Sequence, residues 1–483
     1  LADILKTPRP ASSPPQALLD EILEKNRLWQ NYWRPMNYAF AFGDRTHVAF
    51  GKGEPSFREE LEAWRPFLET AEARIDAVAT GKTELPKFPP VRERAHSAIA
   101  KLTAEEQIAS FTVREDLQAN LFASEADGIL NPVQMRWDER GRLWVLCLPT
   151  YPQINPGEKA NDFVLVCEDT DRDGRADKFH RFVEGLHLPM GLELGDGGLY
   201  VGHGTELIHL KDTDNDGKAD ERKIVMSGFG TGDSHQLINS LIWGPNGKLW
   251  FTQGHHVYSR VETPYGIEKH LKAGVWRLHP HRLKLDNFFE LSTAGANCWG
   301  VAFDDWGQVF HNTGAQYAAY YTLPGMIRTD HPLKTFELFR GSKNTCIEIL
   351  GSKNLPDDLQ GAFAFAGFYN NSLPVFRASD DGSGFKTERL PDLVTSTRRE
   401  FRPVDIRQGP DGAIYLCDWY NEIVGHYQAS YSDPRRDKKH GRIWRVSAKN
   451  AKPAAIPNLA EMNAGQLLKQ LRSSERWNRY QAK

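Results

Sequence analysis

Two stretches of this 483-residue chain place carboxylates at a spacing that suits a hard cation. Asp169, Asp171, Asp173 and Asp177 surround Gly174; Asp212, Asp214, Asp216 and Asp220 surround Gly217 in the same pattern. Carboxylates at positions 1, 3, 5 and 9 of a tight glycine turn supply the several oxygens that calcium takes, and without a cation they would repel one another. The bidentate Glu that closes an EF-hand loop is missing, since His180 and Lys223 stand at position 12. Calcium with a structural role is the expectation. A second set of chemically able residues is scattered: His187, His203, His235, His255, His256 and His311, with Asn297, Asn344, Arg402 and Asp418. Imidazole suits proton transfer near neutral pH and also suits transition metals.

These residues need elements to bring them together, and the sequence repeats an element. PVQMRWDERGRLWVLC, PMGLELGDGGLYVG, INSLIWGPNGKLWFTQG, CWGVAFDDWGQVFHNTG and RPVDIRQGPDGAIYLCDW share an apolar strand, a glycine turn and a second apolar strand. A weaker copy, DDLQGAFAFAGFYNN, fills the one long gap. The turn glycines Gly141, Gly197, Gly247, Gly307, Gly361 and Gly412 then recur roughly every 50–60 residues, the period of propeller blades. A third strand follows most hairpins: FVLVCEDTD, ELIHLKDTD, GVWRLHPHR, LPVFRASDD and GRIWRVSAK, with MIRTDHP a loose candidate in the fourth unit. The early segment near 109–124 is placed to complete the last blade and close the ring. The fold expected is an all-β six-bladed β-propeller over 106–448. A helical extension and linker precede it over 1–105, and a short helical tail follows over 449–483.

In a propeller, the loops entering each innermost strand and leaving each second strand meet over one mouth of the central channel. The entering positions read Asn131, His187, His235, Asn297, Asn344 and Arg402. The leaving positions include Tyr151, His203, His255, His256, His311, Asn312, Tyr369, Asp418, Trp419 and Tyr420. That concentration of polar groups reads as a ligand site. His203, His255 and His311 hold matching places in three successive blades and could together hold a divalent transition metal. Trp299, Trp419 and Tyr420 suit stacking on a sugar ring or a planar cofactor. The terminal extensions are expected to pack as helices without reaching the channel.

Composition narrows the partners. Sixty basic and 63 acidic residues give a net charge of −3, so no global field draws the chain to nucleic acid. No apolar run approaches the ~18 residues of a membrane span, and no signal peptide is visible at LADILKTPRP. The five cysteines form neither CxxC nor CxxCH and read as buried free thiols.

EDTDRDGRADKFHRFVEGLHLPMGLELGDGGLYVG, GFGTGDSHQLINSLIWGPNGKLWFTQG and FRPVDIRQGPDGAIYLCDWYN, with HGRIWRV, resemble the "membrane-bound dehydrogenase"-type propeller proteins of planctomycetes and verrucomicrobia. The resemblance covers about 105–448. It implies a periplasmic or extracytoplasmic setting, HEAT-like repeats after the propeller, and a c-type cytochrome as electron acceptor. LLKQLRSSERWNRYQAK is similar to the first HEAT-like helix, and KNRLWQNYWRPMNYAFAFG to the connector upstream of such propellers. Through that family the chain resembles, more distantly, the quinone-dependent sugar dehydrogenases, which implies pyrroloquinoline quinone over the channel.

Three functions stay open on the sequence. The first is a carbohydrate oxidoreductase of the sugar-dehydrogenase type. The second is a metal-dependent glycan lyase or glycoside hydrolase using the channel histidines. The third is a carbohydrate-binding propeller without catalysis. In the enzymatic readings His235 is the expected base, at a position resembling the histidine before the L-x-F-G-P-D-G strand of the sugar dehydrogenases, one residue further from it. Asp233 would orient the ring, His255 would assist as base or metal ligand, and Asp418 is the alternative base. Arg402 would face an acidic cofactor or a uronate. His187, Asn297, Trp299, Asn344, Trp419 and Tyr420 would contact substrate.

Overall fold

The computed structural model describes residues 15–48, 56–92, 101–290, 297–313, 318–322, 336–341, 343–425, 430 and 433–483. Six four-stranded antiparallel sheets form a six-bladed β-propeller. Blade 1 begins with Pro132–Trp137, blade 2 with Pro189–Gly195, and blade 3 with Asn239–Trp243. Blades 4, 5 and 6 begin with Cys298–Phe303, Thr345–Ile349 and Pro403–Gln408. Each of these innermost strands contacts the next, and Pro403–Gln408 returns to Pro132–Trp137, so the six line a channel. Gly141, Gly197, Gly247, Gly307, Gly361 and Gly412 all have φ between 69 and 82°, the left-handed region in which a hairpin turn favours glycine.

The ring closes through chain order. The outer strand of blade 6 is Leu117–Ala123, which precedes blade 1 and pairs antiparallel with Arg442–Ala448, Leu117 opposite Ala448. Closure thus fastens the strand that precedes the ring to the last blade. Apolar residues of adjacent sheets interdigitate between blades: Val164 and Val166 of blade 1 with Leu192, Leu199 and Val201 of blade 2, and Tyr200 and Leu207 with Leu241, Leu249 and Phe251 of blade 3.

Three local features depart from the sequence expectation. The third strand of blade 4 is Ala318–Tyr321, just after the hairpin, while MIRTDHP lies outside the described residues. Blade 3 carries an inserted hairpin, Ser259–Thr263 with Gly266–His270. Phe111–Val113 pairs with Val394–Ser396 in a separate two-stranded ribbon, so only the later part of the 109–124 segment enters blade 6.

The helices at the ends reach the channel mouths, contrary to expectation. Gln16–Trp33 and Arg65–Ala79 pack on each other through Leu28, Tyr32, Trp64, Phe67 and Ala71. The segment between helices is bonded to the propeller backbone: the amides of Tyr38 and Ala39 donate to the carbonyls of Thr231 and Gly232, each at 3.0 Å. At the other end of the channel lies the C-terminal helix Arg476–Gln481. Its Tyr480 hydroxyl donates to Glu193 Oε2 and accepts from the Trp243 amide, both at 2.9 Å.

Candidate functional site

A cavity of about 390 Å³ opens where the innermost strands begin. That size falls within the ~300–1,000 Å³ usual for small-molecule sites. Its floor is Val133, Gln134, Met190, Asn239, Ser240, Thr345 and Val404 from these strands, and its walls carry the chemistry.

His235 lies in the loop that enters blade 3. Its Nδ1 stands 3.4 Å from Asp233 Oδ1 and 3.4 Å from the Tyr151 hydroxyl. Asp233 also accepts the backbone N–H of His235 at 3.1 Å, so the two residues form one closed turn. Burial holds the Asp233 carboxyl above the usual carboxylate range, with His235 partly offsetting that shift. Burial likewise pushes the Tyr151 phenol well up, which keeps it protonated. The Trp299 indole donates to the His235 carbonyl at 3.0 Å, and its ring centre is 5.6 Å from the imidazole. Trp299, Phe368, Tyr369, Trp419 and Tyr151 supply aromatic walls. Trp419 stands edge-on to Tyr151 at 5.3 Å.

The opposite wall comes from outside the propeller. Phe40 and Arg45 line the cavity, and Arg45 Nη1 is 2.7 Å from His256 Nε2. Burial and neighbouring His255 push the His256 imidazole down to about 4, and burial lowers His255 too. Asn37 locks this arm beside the base: its Oδ1 accepts the Ser234 amide at 2.9 Å and its Nδ2 reaches Gln153 Oε1 at 3.3 Å. Neither Phe40 nor Arg45 carries a signal in the repeat pattern. The only sequence hint was the aromatic density of MNYAFAFG.

Of the residues expected at the site, His235, His255, Asn297, Trp299 and Trp419 line the cavity. Arg402 does not. The residue is buried, and its guanidinium donates to the carbonyls of Phe368, Asn421 and Glu422, where it props loops under the site. Asp418 is fully buried and accepts from the amides of Arg402 and Tyr420, the Gln107 amide nitrogen and the Trp444 indole. Tyr420 is buried against the Arg442 guanidinium, and Asn344 is buried outside the lining. His187 also lies outside it, its backbone N–H bonded to His203 Nε2 at 3.0 Å.

A family model described as a domain of unknown function, DUF7133, matches residues 103–344 and 340–450. The chain belongs to this family. No curated protein sequence matches it. Among solved structures, the PQQ domain of a pyranose dehydrogenase from Coprinopsis cinerea is 10% identical with a TM-score of 0.46, covering 70% of this chain and 97% of that one. A glucose dehydrogenase is 13% identical with a TM-score of 0.45, covering 69% and 100%. The soluble aldose sugar dehydrogenase of Escherichia coli is 13% identical with a TM-score of 0.43, covering 69% and 100%.

Two metal arrangements were expected in this DUF7133 propeller. Among the described residues His203, His255 and His311 form no group of ligand atoms within reach of one ion. His203 shares Nδ1 with Arg222 at 3.3 Å, and His311 is enclosed at 0% exposure, stacked on Tyr320 and hydrogen-bonded to the Thr322 hydroxyl at 2.5 Å. Equivalent places in successive blades lie around a ring, and a ring this wide holds its members apart. The carboxylates behave differently. Asp169, Asp171 and Asp173 bring oxygens within 4.8 Å of one another, as do Asp212, Asp214 and Asp216. Arg172 and Asn215 share φ of 61 and 62°, and Gly174 and Gly217 share 91 and 89°, so the loops are conformational copies. Asp177 and Asp220 turn away to the hydroxyls of Thr170 and Thr213. Each loop grips the preceding blade: the Ala176 amide donates to Phe122 of blade 6 at 2.9 Å, and the Ala219 amide to Phe182 of blade 1 at 2.8 Å.

Proposed function

We propose that the channel-mouth cavity binds a carbohydrate and that His235 takes the proton of a sugar hydroxyl, as in an oxidoreductase of the sugar-dehydrogenase type. The observation that supports this is the grouping of His235, Asp233 and Tyr151 around one imidazole beside the Trp299 ring. Oxidising an alcohol removes a proton from oxygen as hydride leaves the same carbon. An imidazole is matched to the proton at neutral pH. Asp233 sets the ring's orientation and favours the imidazolium that forms. Tyr151, kept protonated, stands at the same ring nitrogen, which leaves Nε2 to meet the sugar hydroxyl. The aromatic walls accept the C–H faces of a pyranose and exclude water from the reacting edge.

Pyrroloquinoline quinone is the acceptor this reading invokes. The flat faces of Phe368 and Tyr369 and the Arg45 cation are the groups that would border its rings and meet a carboxylate. Bound there, it supplies a two-electron acceptor. The same reading places calcium in the two aspartate loops at the rim, where each ion would pin one blade to the blade before it.

The test is dye reduction by the purified protein with added pyrroloquinoline quinone over a panel of sugars, run beside His235→Ala. Turnover that needs both quinone and His235 supports the assignment. Turnover that His235→Ala leaves intact rejects His235 as base, and no turnover with any sugar rejects the oxidoreductase reading.

A further inference from the structure

Lys343 has no task in this scheme. It lies just before the innermost strand of blade 5 and lines the cavity. Its ammonium is 5.1 Å from the ring centre of Trp299 and 5.4 Å from that of Tyr369. Two aromatic faces attract a cation and strip its water, but they do not neutralise it. Among the described residues no carboxylate stands within ion-pair distance of Lys343. Burial lowers the ammonium's pKa, and the more distant charge of Asp233 partly offsets that. A partly desolvated cation facing a cavity gains more from an anionic ligand than a surface lysine does.

Its position relative to the base gives the ligand a direction. Trp299 touches both residues, His235 through its indole N–H and Lys343 through its face. One wall therefore carries the base, an aromatic platform and a cation in sequence. A pyranose lying alongside Trp299 with a hydroxyl at His235 presents a substituent of its other edge to Lys343. We infer that this site selects a carboxylate-bearing sugar, of the uronic acid class, with Lys343 meeting the carboxylate. The inference rests on the carbohydrate reading above. Arg45 stands with His256 on the arm-derived wall, away from this sequence of base, platform and cation.

The test is calorimetric titration of the full chain with D-glucuronate and D-galacturonate, with the neutral sugars D-glucose and D-galactose, and separately with pyrroloquinoline quinone. The uronates should bind about tenfold tighter than their neutral parents, the scale of one charge-assisted hydrogen bond. That advantage should shrink as salt rises. Lys343→Met should abolish it while leaving the neutral sugars within about twofold, and Lys343→Arg should retain most of it. Equal affinity for acidic and neutral sugars, indifferent to salt, overturns the inference and leaves the carbohydrate reading standing. Failure of every sugar to bind overturns both. A loss in Lys343→Met confined to the quinone also overturns it, and gives the cation to the cofactor. If Lys343→Met fails to fold, the salt dependence of the wild-type uronate advantage decides alone.

Discussion

Arg45 donates to Nε2 of His256 at 2.7 Å, which fixes that imidazole as its Nδ1–H form and ties the N-terminal arm to the cavity wall. A guanidinium has only donors, so the ring nitrogen it touches must accept. The low pKa of His256, about 4, agrees with a ring held neutral beside a cation. The arm is thus part of the site, and removing residues 1–48 should weaken ligand binding even where the propeller stays folded. Arg45→Met should weaken pyrroloquinoline quinone about tenfold, since its cation is the one that would meet the quinone's carboxylate, and should leave the uronate advantage in place. Calorimetry on the truncated and substituted proteins checks both, and wild-type affinity after truncation would show that the arm is only a cover.

His235→Ala should lower kcat by about 10²–10⁴-fold, the usual contribution of a general base. The side chain is 19% exposed at the cavity edge and its contacts at Nδ1 are loose, so the melting temperature should hardly move. Turnover and a thermal melt on the same preparation separate the two effects. Near-wild-type kcat would remove His235 from the chemistry.

The blades were legible because a propeller writes its period locally. Gly247, for example, sits between INSLIW and KLWFTQ, and alternation plus a left-handed turn residue suffices to define that hairpin. The site was half legible for the same reason. His235 and Trp299 enter innermost strands, so the period places them at the mouth. Arg402 and Asp418 hold equivalent positions, yet they face loop carbonyls and amides, because blade 6 must also fasten the strand that closes the ring. The period reports where a residue stands, and its rotamer decides what it touches. Phe40 and Arg45 were beyond reach, since their contacts with residues over 190 positions away follow no repeat.

Calcium should stabilise the protein through the two aspartate loops. A ligand bound only by the native state adds RT ln(1 + [L]/Kd), about 2.7 kcal/mol at 100-fold excess over Kd. Chelation with EGTA should lower the melting temperature and calcium should restore it. In a chain with Asp171→Asn and Asp214→Asn together, the calcium response should largely vanish. An unchanged melting temperature in EGTA, with both loops empty in a calcium-soaked crystal, would reject the assignment.

Acid should destabilise the fold partly through His311. Burial drives its pKa down to about 3, and only the Phe289 and Tyr320 rings and the Thr322 hydroxyl are seen to face it among the described residues. Between the unfolded value of about 6.5 and the folded one, the unfolded chain binds the extra proton, so stability falls as pH falls through that window. The slope from this one group approaches about 1.4 kcal/mol per pH unit. Replacing the pair by His311→Phe with Thr322→Val should flatten the loss between pH 6.5 and 5, read from urea unfolding at each pH. An unaltered slope would assign the acid sensitivity elsewhere.

Asp418 supplies the contrast to His235. Its Oδ1 accepts the Arg402 and Tyr420 amides at 2.8 and 3.1 Å, and its Oδ2 accepts Gln107 Nε2 and Trp444 Nε1 at 2.6 and 3.2 Å. Gln107 belongs to the short helix Ala104–Ile108 that precedes the closing strand, and Trp444 to the strand paired with it. One carboxylate therefore joins the two ends of the ring. Asparagine in its place turns one oxygen into a donor that must face two donors, with no room to flip into a better arrangement. Asp418→Asn should lose about 3 kcal/mol or more, the scale of breaking a buried charged hydrogen-bond group. The carboxylate faces no part of the cavity, so the fraction that remains folded should keep wild-type ligand affinity and turnover. Active-site titration alongside a denaturation curve distinguishes the outcomes. A stable Asp418→Asn protein with kcat reduced a hundredfold would return Asp418 to the chemistry as a base.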